Sequence, residues 1–223
     1  MLEAELNAKT NQYQRKVEAA KAIIDKALSM GRFYVAWSCG KDSSAMLHLA
    51  RSVKCDIEAR FIRWTESQML DDFERVVSWW QSQGLNLTIL DLHRESLDDK
   101  VKSRWSILEA LSLVDGYFIG FRAGESRGRK MTLAKDGTIY RRNDGMIRVC
   151  PLAWWSTIDV ASYTLQNGIP ILDAYAKDGF DQRTSARVPR ESVRHMALAD
   201  LRNRDIGRFN QLCAAYPEAR SYV

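Results

Sequence analysis

The stretch that decides the fold is residues 33–44, FYVAWSCGKDSS, where an apolar run gives way to a polar loop and then to a helical pattern. Residues 33–37 are apolar without interruption, which predicts a short strand buried on both faces. Three small residues follow at 38–40, and a helix is predicted over residues 43–52. Amides at the start of a helix lack intrahelical partners and lie at the positive end of its dipole. The turn therefore predicts an anion-binding site.

The side chains of this loop suit a nucleotide phosphate. Three hydroxyl groups can donate hydrogen bonds to phosphate oxygens: Ser38, Ser43 and Ser44. Gly40 lets the backbone approach a phosphate closely, and Lys41 can supply positive charge. Asp42 would repel a phosphate unless a cation lay between them, so it is the predicted Mg²⁺ ligand. The spacing differs from that of a Walker loop, so a different type of phosphate loop is predicted.

The rest of the chain alternates between strand and helix patterns. Strands are predicted at 57–62, 86–92 and 117–121, and helices at 17–28, 70–84 and 101–114. This order predicts an α/β fold with a parallel twisted sheet and helices on both faces. Such folds bind ligands at the carboxyl edge of the strands.

Beyond residue 130 the pattern changes. Turn signals separate three β-prone stretches at 131–133, 138–141 and 146–149, which predicts a small antiparallel β insertion. A capping box at 156–159 starts a further helix, and an Arg-rich helical region follows over 191–216. The predicted organisation is a helical segment at 1–32, a nucleotide-binding α/β domain at 33–190 and a helical tail at 191–223.

The net charge of +5 is concentrated in one stretch. Residues 122–148 carry eight Lys or Arg and three acids, which predicts attraction for a nucleotide phosphate or a nucleic-acid backbone. A solvated charged surface is the alternative interpretation.

Other sequence features bear on the location of the protein. No apolar run reaches the length of a membrane span, and the polar residues 1–16 do not resemble a secretory signal. Four widely spaced cysteines predict free thiols. We therefore expect a cytoplasmic protein without membrane contact.

Several blocks resemble a known family. Residues 38–43 resemble the S-G-G-x-D-S loop of PP-loop ATP pyrophosphatases, with Cys39 in place of the second glycine. Gly120, Phe121 and Arg122, followed by Glu125, Ser126 and Arg129, are similar to the signature of the phosphoadenosine phosphosulfate (PAPS) reductase branch. Residues 151–163 resemble the next block of that branch. The resemblance covers about residues 33–187.

The resemblance implies an adenine nucleotide α hydrolase-like fold and an enzyme that binds ATP and Mg²⁺. It would cleave ATP between the α and β phosphates and adenylate an acceptor that the sequence does not identify. The implied catalytic residues are Lys41, Asp42, Arg122 and Arg129. The implied nucleotide-binding residues are Trp37, Ser38, Cys39, Gly40, Lys41, Asp42, Ser43, Ser44, Ile62, Gly120, Arg122, Glu125, Ser126, Arg129, Arg183 and Arg187.

Individual roles follow from the same resemblance. The backbone near Trp37 and Ile62 would face adenine, and Ser38, Gly40, Asp42 and Ser43 would hold the phosphates. Arg122 and Arg129 would hold the far phosphate or sulfate, with Glu125 orienting one of them. Arg183 and Arg187 would close over the ligand.

The chain also departs from the branch. PAPS reductases carry a C-terminal E-C-G-L-H block with a nucleophilic cysteine, whereas Cys213 lies in QLCAAY. The cysteine clusters that hold iron–sulfur in related reductases are missing too, so no such cluster is expected. Sulfonucleotide reductase or sulfotransferase-type chemistry stays as one alternative. A nucleotide-gated module that binds nucleic acid or protein without turnover is another, and a homodimer is compatible with the sequence.

Overall fold

The computed structural model describes residues 2–64, 71–92, 96–97, 114–173, 175, 179–181 and 191–223. The helix predicted at 101–114 lies outside these residues except for residue 114, and the two predicted ligand-closing arginines, Arg183 and Arg187, lie outside them too. Within them, no helix is long and apolar enough to cross a membrane.

A six-stranded sheet forms the centre of the fold. In chain order the strands are β1 (Phe33–Trp37), β2 (Ala59–Trp64), β3 (Leu87–Leu92), β4 (Gly116–Phe118), β5 (Ile139–Arg141) and β6 (Ile147–Val149). Their order across the sheet is β3-β2-β1-β4-β6-β5, and only the β5–β6 pair is antiparallel. The predicted α/β fold class is confirmed. The carboxyl ends of the five parallel strands meet at one edge of the sheet.

Along the chain, the described helices lie before, between and after the strands. They are α1 (Leu2–Ala8), α2 (Asn11–Leu28), α3 (Lys41–Val53), α4 (Asp71–Ser82), α5 (Arg127–Asp136), α6 (Thr157–Gln166), α7 (Glu191–Arg204) and α8 (Ile206–Ala215). Short 3₁₀ helices occupy Ala123–Glu125 and Pro217–Tyr222.

The two faces of β1 are both buried, as its continuous apolar run predicts. Phe33, Val35 and Trp37 belong to the main core, which includes residues of α2, α3, α4 and α6. The alternate residues Tyr34 and Ala36 lie in a second cluster with Ile62 and Tyr117. A strand enclosed in this way holds the loop at its carboxyl end in a fixed position.

The β insertion is smaller than the sequence predicts. Residues 139–141 and 147–149 do pair antiparallel, but β6 also pairs with β4, so the hairpin extends the main sheet. The prediction of a β stretch at 131–133 is wrong, because these residues lie within α5. Ser126 caps this helix by accepting a hydrogen bond from the backbone N–H of Arg129, and that local signal outweighs β propensity.

The N-terminal helices pack on the α/β core. Val17 and Ile24 of α2 lie in the main core cluster. The side chain of Asn7 donates to Asp159 and Ser162 at 3.2 and 2.9 Å, and Lys16 pairs with Asp159 at 2.5 Å. Asp159 is the second half of the predicted capping box, which the structure contains. One carboxylate thus starts α6 and also anchors the N-terminal helices.

The C-terminal helices have a small core of their own. Leu198, Phe209 and Tyr216 pack there with Leu97. Arg208 connects this region to α4 through a hydrogen bond of 3.2 Å to Asp72.

Gly120, just after β4, allows a very close approach between two segments. A Cβ atom at this position would lie 2.6 Å from the carbonyl carbon and oxygen of Asp42 and 2.8 Å from the backbone nitrogen of Ser43. The start of α3 therefore packs directly against the backbone after β4. No flexible side chain is available to move aside, because the opposing atoms belong to the backbone.

We predict that Gly120→Ala lowers the free energy of unfolding by about 2 kcal/mol, because the added methyl group forces these segments apart. Gly124→Ala is the control, since a Cβ atom there meets nothing within 4 Å. Urea denaturation of both variants measures the difference. Equal stability of the two variants would contradict the close approach.

Candidate functional site

The loop predicted to bind phosphate, residues 38–43, leaves the carboxyl end of β1 and enters α3; we call it the phosphate loop. Gly40 is the residue before the first helical turn, with φ −70° and ψ 154°. Cys39 adopts φ 56°, a left-handed conformation that glycine adopts more easily. This conformation agrees with the glycine that stands at the same position in the loop that residues 38–43 resemble. The amides of the first helical turn have no intrahelical acceptor and are available to an anion.

Ser43 closes the loop on itself. Its hydroxyl donates to the carbonyl of Gly40 at 2.9 Å, accepts from the backbone N–H of Ser38 at 3.2 Å and lies 3.0 Å from the Ser38 hydroxyl. The loop conformation is therefore held by its own hydrogen bonds. Ser44 lies beneath the loop, where its buried hydroxyl accepts from the indole of Trp37 at 3.0 Å.

Lys41 is buried at the start of α3. Its ammonium group lies 4.8 Å from the centre of the Tyr175 ring and 3.5 Å from a carboxylate oxygen of Asp42. Burial lowers the pKa of Lys41, although the nearby Asp42 opposes this effect. Sequence reasoning missed Tyr175, because no local pattern brings a residue so distant in the chain next to the loop.

Arg122 is buried against the same helix start. Its Nε donates to Asp42 at 2.6 Å, and one terminal nitrogen donates to the carbonyl of Trp155 at 3.3 Å. Only 4% of Arg122 is exposed. The structure thus brings the predicted residues Asp42 and Arg122 together, and they form an ion pair with each other. Arg122 connects the phosphate loop to the segment before α6.

Glu125 lies between the two predicted arginines. Its carboxylate accepts from the backbone N–H of Arg122 at 3.0 Å and pairs with the guanidinium of Arg129. The Arg129 guanidinium also lies 4.7 Å from the centre of the Phe121 ring. Arg129 lies in the first turn of α5, which Ser126 caps. The block of residues 120–129 that resembles the reductase signature therefore forms one connected unit.

Further arginines surround the aromatic residues beside this unit. Arg148 donates to the hydroxyl groups of Tyr117 and Tyr140 at 2.8 and 3.0 Å. Arg142 donates to the same Tyr117 hydroxyl at 3.0 Å. Sequence reasoning identified the basic stretch but not its phenol partners, which become neighbours only because β4, β5 and β6 pair.

The predicted adenine-facing residues lie on neighbouring strands. Trp37 ends β1, and Ile62 is in β2, which pairs with β1. The Ile62 side chain is buried in the cluster with Tyr34 and Tyr117. Its backbone is therefore the part that can face a base at the sheet edge.

The cysteines are poorly suited to nucleophilic chemistry. Cys39, Cys150 and Cys213 are buried, and exposed Cys55 lies between α3 and β2, at the opposite edge of the sheet from the phosphate loop. Burial, followed by the charges of Glu74 and Asp72, raises the pKa of Cys39 well above its ordinary value. Burial also raises the pKa of Cys150 to about 12. The thiols of Cys39 and Cys150 are therefore protonated at neutral pH.

The described surroundings of Asp42 are basic, which bears on its predicted role as a Mg²⁺ ligand. Asp42 already lies beside Arg122 and Lys41, whose positive charges oppose a metal ion. Among the residues that the structure describes, no group of three or more His, Cys, Asp or Glu could hold a metal ion.

Comparisons with known proteins identify relatives of this fold. Residues 32–182 match the family model of the phosphoadenosine phosphosulfate reductase domain. The solved structure of phosphoadenylyl-sulfate (PAPS) reductase from Candida auris, a phosphate complex, matches with a TM-score of 0.53 at 14% sequence identity. The match covers 76% of this chain and 92% of that chain. No curated protein sequence gives a significant match.

We predict that a thiol reagent such as dithionitrobenzoate labels one cysteine per native chain, because Cys55 alone is exposed. Denatured protein should release four equivalents, and native Cys55→Ser should release none. Rapid labelling of Cys39 at neutral pH would contradict the buried, protonated thiol.

We predict that Asp42→Asn lowers the free energy of unfolding by about 3 kcal/mol, because it leaves the buried charge of Arg122 without its partner. Asp200→Asn is the matched control, since Asp200 forms an exposed pair with Arg204 and its loss should cost less than about 1 kcal/mol. Denaturant unfolding monitored by circular dichroism provides the measurement. Similar losses of unfolding free energy in both variants would show that the buried pair stabilises the protein no more than the exposed pair does.

Proposed function

Since the chain belongs to the phosphoadenosine phosphosulfate reductase domain family, we propose that it is an enzyme of this type that acts on the α phosphate of ATP. In this proposal it transfers AMP to an acceptor and releases pyrophosphate. One observation carries the proposal: the first amides of α3, the buried Lys41 and the Arg122–Asp42 pair converge after β1, at the carboxyl edge of the sheet, where such folds bind ligands. That combination suits a polyphosphate.

The chemistry requires stabilisation of a leaving anion. The acceptor attacks the α phosphorus, and the bond to the bridging oxygen breaks, so negative charge develops on pyrophosphate. Lys41 and the α3 amides supply fixed positive potential in a partly dehydrated setting, where such groups act strongly. Arg129, held by Glu125, would stand on the acceptor side. These residues mainly position the substrates and neutralise negative charge, and no covalent intermediate with the chain is needed.

Asp42 acts in this proposal through Arg122. Its carboxylate fixes the guanidinium at 2.6 Å, so it is a positioning residue. Magnesium would enter with the nucleotide, held by phosphate oxygens and water as is usual for this ion, instead of being bound by Asp42 beforehand.

A sulfonucleotide is the second candidate ligand. The family match and the fold of the fungal PAPS reductase favour it. Reduction of the sulfonyl group needs an accessible thiolate, however, and the burial of Cys39, Cys150 and Cys213 counts against one supplied by this chain. Adenylation needs no thiol, so it agrees better with the cysteine positions.

Calorimetry and turnover assays with Lys41→Met test the proposal. We predict that Lys41→Met lowers the rate of AMP formation from α-labelled ATP by about 100-fold, because it removes positive charge beside the leaving group. Lys54→Met is the control, since Lys54 lies at the other end of α3 and is exposed. Binding of ATP, PAPS and AMP to both variants and the parent protein separates affinity from chemistry.

The products distinguish the candidates. Since the assay contains no other acceptor, water takes its place, and AMP with pyrophosphate is expected. ADP as the sole product, or equal loss of activity in the two lysine variants, would overturn the adenylation proposal. Release of sulfite from PAPS with thioredoxin, lost in one Cys→Ser variant, would establish sulfonucleotide reduction instead.

A further inference from the structure

The excess positive charge of the chain lies in a single segment. Residues 122–148 carry eight basic and three acidic side chains, a net charge of +5, which equals the net charge of the whole chain. The rest holds 25 basic and 25 acidic residues (33 less 8 and 28 less 3). All residues of this segment are described, so the position of its charges is known. The remainder of the chain is neutral overall.

Helix α5 presents two different faces. Leu133 faces inward and packs with Ala123, Cys150 and Ala153. At about 100° per residue, the residues that follow one another around the outer side of the helix are Lys130, Ala134, Arg127, Met131 and Lys135, and all five are exposed. The exposed charged residues of α5 are three cations, Arg127, Lys130 and Lys135, and one acid, Asp136, so the outer side of the helix is predominantly positive.

The cations of the segment fall into two groups. Some are engaged internally: Arg122 with Asp42, Arg129 with Glu125, and Arg142 with Asp144. By contrast, no carboxylate in the described part of the chain pairs with the three outer cations of α5, which are Arg127, Lys130 and Lys135. Their charge is therefore directed to solvent.

The strand that follows α5 in the chain carries a further exposed cation. Strand β5 forms the edge of the sheet, and Arg141 is exposed on it, directly after α5 in the chain. An exposed edge with a positive side chain discourages pairing with another chain. It leaves a basic surface made of the outer face of α5 and the β5 edge, which we call the α5 surface.

We propose that the α5 surface binds the phosphate backbone of a nucleic-acid duplex. The three outer cations of α5 extend over about 12 Å at 1.5 Å per residue, a length over which a duplex carries about seven phosphate charges. A single strand presents about half that charge density. A membrane surface fits less well, because Met131 is the one large apolar side chain on the outer face and gives little area to insert.

The α5 surface adjoins the candidate site. Helix α5 begins directly after Glu125 and Ser126, and Glu125 contacts the backbone of Arg122. A bound duplex would therefore lie beside the phosphate loop, where it could present an acceptor group. That last step rests on the proposed function; duplex binding itself does not.

Fluorescence anisotropy with a labelled duplex of about 20 base pairs, without any nucleotide, tests the binding. The variant Arg127→Gln/Lys130→Gln/Lys135→Gln should bind the duplex at least 10-fold more weakly. It should also reduce the slope of log K against log salt by about 2 to 3, because three fewer phosphate contacts release fewer counterions on binding. Lys9→Gln/Arg15→Gln/Lys26→Gln removes the same charge from exposed positions at the N-terminal helices. Its affinity should stay within twofold.

Each outcome has a defined meaning. Equal weakening by the two triple variants would show non-specific attraction by net charge and overturn the proposal. Competition by polyglutamate as strong as by unlabelled duplex would indicate an acidic protein partner instead. Absence of duplex binding in low salt would overturn it outright, and ATP binding measured on the same samples would show whether the phosphate loop still functions. Duplex DNA, duplex RNA and single-stranded DNA of one sequence identify the form preferred.

Discussion

The contact between Asp42 and Arg122 joins two segments 80 residues apart in the chain, and the arrangement of the candidate site depends on it. Asp42 lies in the first turn of α3, and Arg122 follows β4. Gly120 lets the two backbones touch, and Arg122 then reaches on to the carbonyl of Trp155 before α6. Burial makes the pair costly to desolvate but also costly to break. Three separate blocks of sequence are thus held at one sheet edge by a single guanidinium.

This burial also determines which chemistry the site can support. Lys41 and Arg122 provide positive charge in a partly dry environment, next to the first-turn amides of α3. The same burial raises the pKa of Cys39 and so keeps its thiol protonated, although Cys39 lies in the loop itself. Electrostatic stabilisation of an anion is therefore favoured, and thiolate attack by Cys39 is not. This arrangement is the reason why we propose phosphate chemistry instead of reduction.

Charge is distributed unevenly between the body of the protein and the segment after β4. The cations nearest the phosphate loop are paired with Asp42 and Glu125 and act inside the site, whereas those on the outer face of α5 point to solvent. One basic stretch in the sequence therefore divides into two surfaces with different chemistry. The division follows from helix geometry, because residues 129 and 133 face inward and residues 127, 130 and 135 face outward.

The sequence alone determined the alternation of strands and helices, the phosphate loop after β1 and the basic character of residues 122–148, because these depend on local periodicity, small residues and composition. The β stretch predicted at residues 131–133 is wrong, because the cap at Ser126 starts a helix that includes these residues. Only the tertiary structure decided that Asp42 faces Arg122 and that Tyr175 lies over Lys41. Those pairings join residues far apart in the chain, and no local pattern encodes them. They arise when the parallel strands bring their carboxyl ends to one edge and burial requires each charge to find a partner.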